Sequence, residues 1–100
     1  MIKSYGNAEA KKIFEDGECK KLPQDLLKRA ILLLDIMDNV ESLEDLKVKG
    51  FPPDLRLHKL KGEFQGRFAI DINKVKGWRI TFIFEDNVFK SVKVENYHRG

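Results

Sequence analysis

One stretch near the end of the chain, residues 77–98, most constrains the fold. Its first half places apolar side chains at every second position, at Trp78, Ile80, Phe82 and Phe84. This period of two residues is typical of a β-strand with one buried face, and it places Arg79 on the opposite face. Residues 88–94 repeat the pattern more weakly, with either Ser91 or Val92 facing inward. Because Glu85-Asp86-Asn87 favours a turn, we predict a β-hairpin over this stretch.

The first half of the chain predicts helices. We predict a short strand at residues 2–5 and a helix that begins after its N-cap, Asn7, and ends at Gly17. Apolar residues recur at three- and four-residue spacing over residues 26–37, which predicts a second helix with Pro23 at its first position. Ser42 and Asp45 have the spacing of a capping box, which predicts one further turn through residue 46.

The second half predicts mostly strands. Residues 47–54 contain Gly50 and Pro52-Pro53 and favour a loop, and short strands are predicted at residues 55–60 and 66–73. A turn over residues 73–77 leads into the hairpin. Because helices come first and strands follow, we predict an α+β fold over residues 1–100 as a single domain. Two N-terminal helices would pack on a small, mainly antiparallel sheet.

Charge is distributed unevenly along the chain. Residues 1–50 contain nine Lys and Arg against ten Asp and Glu, whereas residues 51–100 contain ten against six. The basic half fits a polyanionic partner, although a merely solvated surface explains it equally well. Cys19 is the single cysteine, so no internal disulfide can form, and we expect a reducing compartment, the cytoplasm. No apolar run is long enough to suggest a membrane span.

The strand half also carries the candidate chemistry, in the polar residues Arg56, His58, Lys61, Arg67, Arg79, Tyr97 and His98. RNA cleavage without a metal needs a base, an acid and cations around the phosphate, and these residue types supply all three. Each has an ordinary alternative: His58 as a half-exposed strand residue, Tyr97 as an aromatic plug, and Arg79 as the partner of Asp71. Metal-ligand spacings and phosphate-binding glycine loops are absent from the sequence, so we expect neither a metal nor a cofactor.

Four segments together resemble a known family. They are MIKSY at the start, LRLHKLKG at residues 55–62, GWRITFIF at residues 77–84 and ENYH at residues 95–98. In this order and spacing they resemble the HigB branch of the RelE/ParE toxin superfamily, the toxins of bacterial type II toxin–antitoxin systems. The resemblance implies a RelE/ParE-like fold and a ribosome-dependent endoribonuclease, an mRNA interferase that cleaves mRNA in the A site.

The same resemblance assigns residues to roles. The catalytic set it implies is His58, Lys61, Arg79, Tyr97 and His98. Substrate binding is assigned to Arg56, Lys59, Arg67 and Asn96, and neither metal nor cofactor is required. The implied partners are mRNA on the ribosome and a HigA-type helix-turn-helix antitoxin, through which alone DNA would be contacted.

Two departures and two alternatives accompany this interpretation. Asn96 stands where the family usually has aspartate, and Lys59 replaces a common proline. ParE-like members of the superfamily act on gyrase, so the fold by itself does not fix the function. A non-catalytic module that binds RNA or the ribosome is the other alternative, since the basic half of the chain would suffice for it.

Overall fold

The structure, a computed structural model, describes residues 1–48, 57–60, 66–73 and 75–96. Within them three helices precede four strands. The helices are α1 (Ala8–Asp16), α2 (Gln24–Asp38) and α3 (Leu43–Val48), and the strands are β1 (His58–Lys59), β2 (Phe68–Asn73), β3 (Trp78–Glu85) and β4 (Val88–Asn96). The four strands form one antiparallel sheet in the order β1-β2-β3-β4. The predicted α+β fold class is therefore confirmed.

Local signals fix the helix ends. The Asn7 side chain accepts a hydrogen bond from the Ala10 N–H at 3.1 Å, and α1 ends at Gly17, whose φ of 69° is left-handed. Pro23 was predicted as the first helical residue, but its ψ of 147° is extended. It is instead the N-cap of α2. The Asp45 N–H donates to the Ser42 hydroxyl at 3.1 Å, as predicted, and α3 continues past residue 46.

The predicted hairpin is formed by β3 and β4. Asp86 and Asn87 both have positive φ, 55° and 63°, which is the conformation of the two-residue turn that matches strand twist. The predicted strand at residues 2–5 is present only as two isolated parallel bridges, from Ile2 to Phe89 and from Tyr5 to Val92. This segment nevertheless covers the outer edge of β4 with backbone hydrogen bonds.

A β-bulge changes which face of the sheet the β4 side chains occupy. The pairing register between β3 and β4 shifts between Thr81 and Ile83, and Ser91 has a φ of 51°. Phe89 and Val92 are therefore both fully buried, although they are three residues apart. The bulge settles the open choice in the sequence pattern: Val92 faces the core and Ser91 does not.

The hydrophobic core lies between one face of the sheet and the helices. Side chains of α1 and α2 pack there against strand residues that include Ile70, Ile80 and Phe82. The Arg29 guanidinium donates to the Ile72 carbonyl oxygen at 3.0 Å and ties α2 to β2. In the described ranges, no helix is long and apolar enough to cross a membrane. The predicted loop at residues 47–54 and the predicted strand start at residue 55 lie largely outside those ranges.

Candidate active site on the outer face of the sheet

The strand register assembles a polar surface on the face turned away from α1 and α2. His58 pairs with Ala69, Ala69 with Thr81, and Thr81 with Lys93. Because directly opposed residues share a face, these four side chains form one row across the sheet. We call this side of the sheet the outer face; its members around Arg79 are His58, Ala69, Asp71, Arg79, Thr81, Lys93 and Glu95, and Arg67 reaches onto it from just before β2.

Arg79 lies between two carboxylates in the next row. Asp71 on β2 and Glu95 on β4 are its direct cross-strand neighbours. Asp71 is 2% exposed, and the Arg79 side chain is 13% exposed with its Nη2 atom 4.0 Å from Glu95 Oε1. The sequence analysis named Asp71 as an alternative, structural partner of Arg79, and the strand register places Asp71 directly opposite Arg79. Glu95 was not singled out.

Arg67, immediately before β2, reaches across the sheet to β3 and β4. Its Nη2 atom donates to the Ser91 carbonyl oxygen at 2.6 Å and to Thr81 Oγ1 at 3.0 Å, and its Nη1 atom donates to Ser91 Oγ at 3.2 Å. Thr81, which is fully buried, donates in turn to Glu95 Oε1 at 3.1 Å. The result is a connected polar network from Arg67 to Glu95 that spans three strands.

The net effect of this environment is to lower the pKa of Arg67. Burial lowers the pKa of the Arg67 guanidinium, the nearby Glu95 carboxylate raises that pKa, and the Arg79 cation lowers it. Two guanidinium groups therefore lie close enough to repel each other. The Glu95 carboxylate counters that repulsion at Arg67, because a nearby opposite charge favours the ionised guanidinium.

Two predicted site residues lie on the other face. Lys59 pairs with Phe68, and its Nζ atom is 5.8 Å from the centre of the Phe68 ring. Asn96 pairs with Trp78, and its Nδ2 atom donates to the Lys76 carbonyl oxygen at 3.1 Å. The structure therefore brings His58, Arg67 and Arg79 together on the outer face, but not Lys59 or Asn96.

Four predicted site residues lie outside the described residues: Arg56, Lys61, Tyr97 and His98. Their assignments stay predictions, as do the roles given to the five residues that the structure describes. Within the described ranges, no group of three or more His, Cys, Asp or Glu side chains is placed to hold a metal ion. An open cavity of about 490 Å³ adjoins the end of β4, and its lining includes Trp78, Glu95 and Asn96.

Comparison with known proteins identifies the family of the chain. A family profile described as the RelE-like toxin of the type II toxin–antitoxin system HigB matches residues 3–98. The chain belongs to this family of HigB-like toxins. The resemblance carried by the four sequence segments is thereby confirmed.

The toxin also resembles a solved structure. The YoeB-YefM complex from Staphylococcus aureus is similar to it with a TM-score of 0.58 and 16% sequence identity, over 97% of the toxin and 98% of that chain. At this identity the similarity supports the fold alone. A sequence comparison with curated proteins found no match.

Proposed function

We propose that the toxin is a ribosome-dependent endoribonuclease that cleaves mRNA in the A site without a metal ion. The observation that carries the proposal is the placement of His58 and Arg79 on one face of the sheet in a HigB-like toxin. This face combines a proton-transfer group with a cation for phosphate. Both are needed for phosphodiester cleavage.

The proposed reaction begins with the 2′-hydroxyl of the message. Its oxygen attacks the adjacent phosphorus while a base removes its proton, and the bond from phosphorus to the 5′-oxygen breaks. An acid protonates the departing 5′-oxygen. The products are a 2′,3′-cyclic phosphate and a 5′-hydroxyl, and water can open the cyclic product to a 3′-phosphate.

The roles follow the residue chemistry. His58 and His98 transfer the two protons, in one order or the other, because imidazole exchanges protons near neutral pH. Arg79 and Lys61 bind the scissile phosphate as negative charge develops, and Tyr97 stacks on a base or orients the cleaved nucleotide. Arg56, Lys59, Arg67 and Asn96 are assigned to substrate binding.

Ribosome dependence follows from the small size of the site. So few groups position a flexible message poorly, whereas the ribosome holds it in a fixed geometry. Such positioning can contribute several kcal/mol to a reaction. We accordingly place the activity in the cytoplasm, on translating ribosomes.

The proposed protein partner is an antitoxin. The family description names a toxin–antitoxin system, and the similar solved structure is a complex of YoeB with YefM. A helix-turn-helix antitoxin of HigA type would neutralise the toxin. The toxin would then contact DNA only through that antitoxin.

Primer extension on mRNA from programmed ribosomes tests the proposal. The lanes compare wild-type toxin with His98→Ala and Arg79→Ala, and with Lys28→Ala, which removes a cation from the exposed side of α2. We expect strong cuts at A-site codons with wild type and Lys28→Ala, none with His98→Ala, and cuts that are about a hundredfold weaker but still measurable with Arg79→Ala. Intact mRNA in every lane would overturn the proposal. DNA damage on expression together with intact mRNA would favour the gyrase alternative.

A further inference from the structure

We infer that Glu95 and Thr81 are positioning residues that hold the Arg79 guanidinium in place for the scissile phosphate. This inference rests on the proposed function, because it assigns Arg79 to phosphate binding. It adds two residues to which neither the sequence motifs nor the family comparison gave a role. The argument begins with the hydroxyl of Thr81.

The Thr81 hydroxyl fixes the position of the Glu95 carboxylate by donating its proton to it. The hydroxyl has one proton, and its oxygen already accepts from Arg67 Nη2 at 3.0 Å. Its proton is therefore directed to Glu95 Oε1, at 3.1 Å. A fully buried donor with a charged acceptor holds that carboxylate more firmly than an exposed contact would.

Glu95 in turn acts on Arg79 through charge. Its Oε1 atom lies 4.0 Å from Arg79 Nη2, which is the range of an ion pair and too long for a hydrogen bond. Arg67 brings a second guanidinium to the same network, and the two cations repel. Without the Glu95 carboxylate, Arg79 would lose its cross-strand anchor on β4 and keep only its neighbour on β2, Asp71, among the two carboxylates that flank it.

The bulge at Ser91 brings Glu95 to this position. The extra residue in β4 shifts the alternation, so Val92 and Val94 face the core while Lys93 and Glu95 face outward. Arg67 donates to both the carbonyl and the hydroxyl oxygen of Ser91, and thereby holds the bulge. A positive φ is unfavourable for a non-glycine residue such as Ser91, and the two hydrogen bonds from the Arg67 guanidinium offset that cost.

This arrangement also supplies a carboxylate one residue before the position where the family usually has aspartate. Asn96 replaces the usual aspartate, and its amide bonds to the Lys76 carbonyl oxygen on the other face of the sheet. Glu95, one residue earlier, places its carboxylate beside Arg79. The outer face therefore retains an acidic partner for the strand arginine.

Single-turnover cleavage of ribosome-bound mRNA tests the inference, with ribosome affinity measured separately. Glu95→Gln keeps the shape and removes the charge, Thr81→Val removes the hydroxyl, and Thr81→Ser keeps it. We expect the cleavage rate to fall by about tenfold to a hundredfold in Glu95→Gln and Thr81→Val, as small misplacements of catalytic groups do. Thr81→Ser should retain a rate near wild type, and ribosome affinity should stay within about threefold in all of them.

Two controls separate positioning from a merely structural or global effect. Glu18→Gln makes the same chemical change in an exposed loop and should leave the rate unchanged. In an Arg79→Ala background, Glu95→Gln should reduce the rate no further, because its effect passes through Arg79. Urea denaturation checks that each variant is folded.

The outcomes distinguish the two proposals. If wild type cleaves and Glu95→Gln cleaves equally fast, the positioning role is wrong while the nuclease stands. Equal, independent losses from Glu95→Gln with and without Arg79 would also contradict it. If wild type leaves ribosome-bound mRNA intact, the proposed function fails, and the positioning role fails with it.

Discussion

Asn7 bonds both backbone groups of Val94. Its Nδ2 atom donates to the Val94 carbonyl oxygen at 2.9 Å, and its Oδ1 atom accepts from the Val94 N–H at 3.3 Å. The same Oδ1 atom caps α1 through the Ala10 N–H. One amide side chain therefore joins the start of α1 to the end of β4, close to Glu95. Its removal should affect the helix and the sheet edge together.

We expect Asn7→Ala to lower the free energy of unfolding by about 2 kcal/mol, the sum of a lost cap and lost strand hydrogen bonds. Asn7→Asp keeps the acceptor for Ala10 and loses the donor to Val94, so about half of that loss should remain. Asn39→Ala, which removes one exposed bond to the Asp35 carbonyl oxygen, is the control and should cost about 0.5 kcal/mol or less. Urea denaturation measures all three, and equal losses from Asn7→Ala and Asn39→Ala would contradict the joint role.

The β3–β4 turn offers a stabilising substitution. Asn87 has a φ of 63°, where glycine pays no steric penalty, so Asn87→Gly should raise the free energy of unfolding by about 0.5 kcal/mol. Asn87→Val should lower it by about 1 kcal/mol or more. Asn39→Gly is the matched control, because Asn39 has a φ of −102° and gains nothing from glycine. Thermal unfolding ranks the stabilities of these variants. A stability gain from glycine at both Asn87 and Asn39 would show that the turn conformation is not the cause.

Features that depend on neighbouring residues could be predicted from the sequence, whereas features that depend on strand pairing could not. The caps at Asn7 and Ser42 and the turn after Glu85 depend on neighbouring residues, so their patterns predicted them correctly. The position of Glu95 beside Arg79 depends on strand register and on the bulge at Ser91. Alternation alone does not reveal a bulge, since it is set by pairing between distant segments.

The same limit applies to the candidate site. Motif similarity assigned His58 and Arg79 to the site, an assignment that stays a prediction, and the register brings both to the outer face. Motif similarity also placed Lys59 in the same site as His58, although adjacent strand residues point to opposite faces. Thr81 carried no signal of its own, because a threonine in a strand is ordinary until its hydrogen bonds to Arg67 and Glu95 are known.

The ion pair between Glu9 and Lys21 should make stability depend on acidity. The pKa of Glu9 lies below its usual value of 4.5, first because its own backbone N–H donates to the carboxylate and second because Lys21 does, at 3.1 Å. A lowered folded-state pKa gives stability that is present above pH 4.5 and is lost as the pH falls through the folded-state pKa.

Glu9→Gln should therefore be less stable than wild type at pH 7, by about 0.5 kcal/mol at low salt. The difference should disappear as the pH falls through the folded-state pKa of Glu9, because the protonated Glu9 side chain and the glutamine side chain of the variant are then both uncharged. Urea denaturation across this range measures it, and Glu18→Gln, in the exposed loop, should show no such pH dependence. A difference that persists unchanged at low pH would assign the effect to packing instead of charge.

His58 and Lys59, neighbours on β1, test the face assignment most directly. His58 shares a row with Thr81 on the outer face, whereas Lys59 lies beside the Phe68 ring on the other. We expect His58→Ala to reduce the rate of ribosome-bound mRNA cleavage by about a hundredfold, the usual contribution of a proton-transfer group. Lys59→Ala should leave that rate unchanged and weaken ribosome binding about threefold, with a smaller salt dependence, because it removes one cation. The reverse pattern, a slow Lys59→Ala and a fully active His58→Ala, would place the reaction on the other side of the sheet.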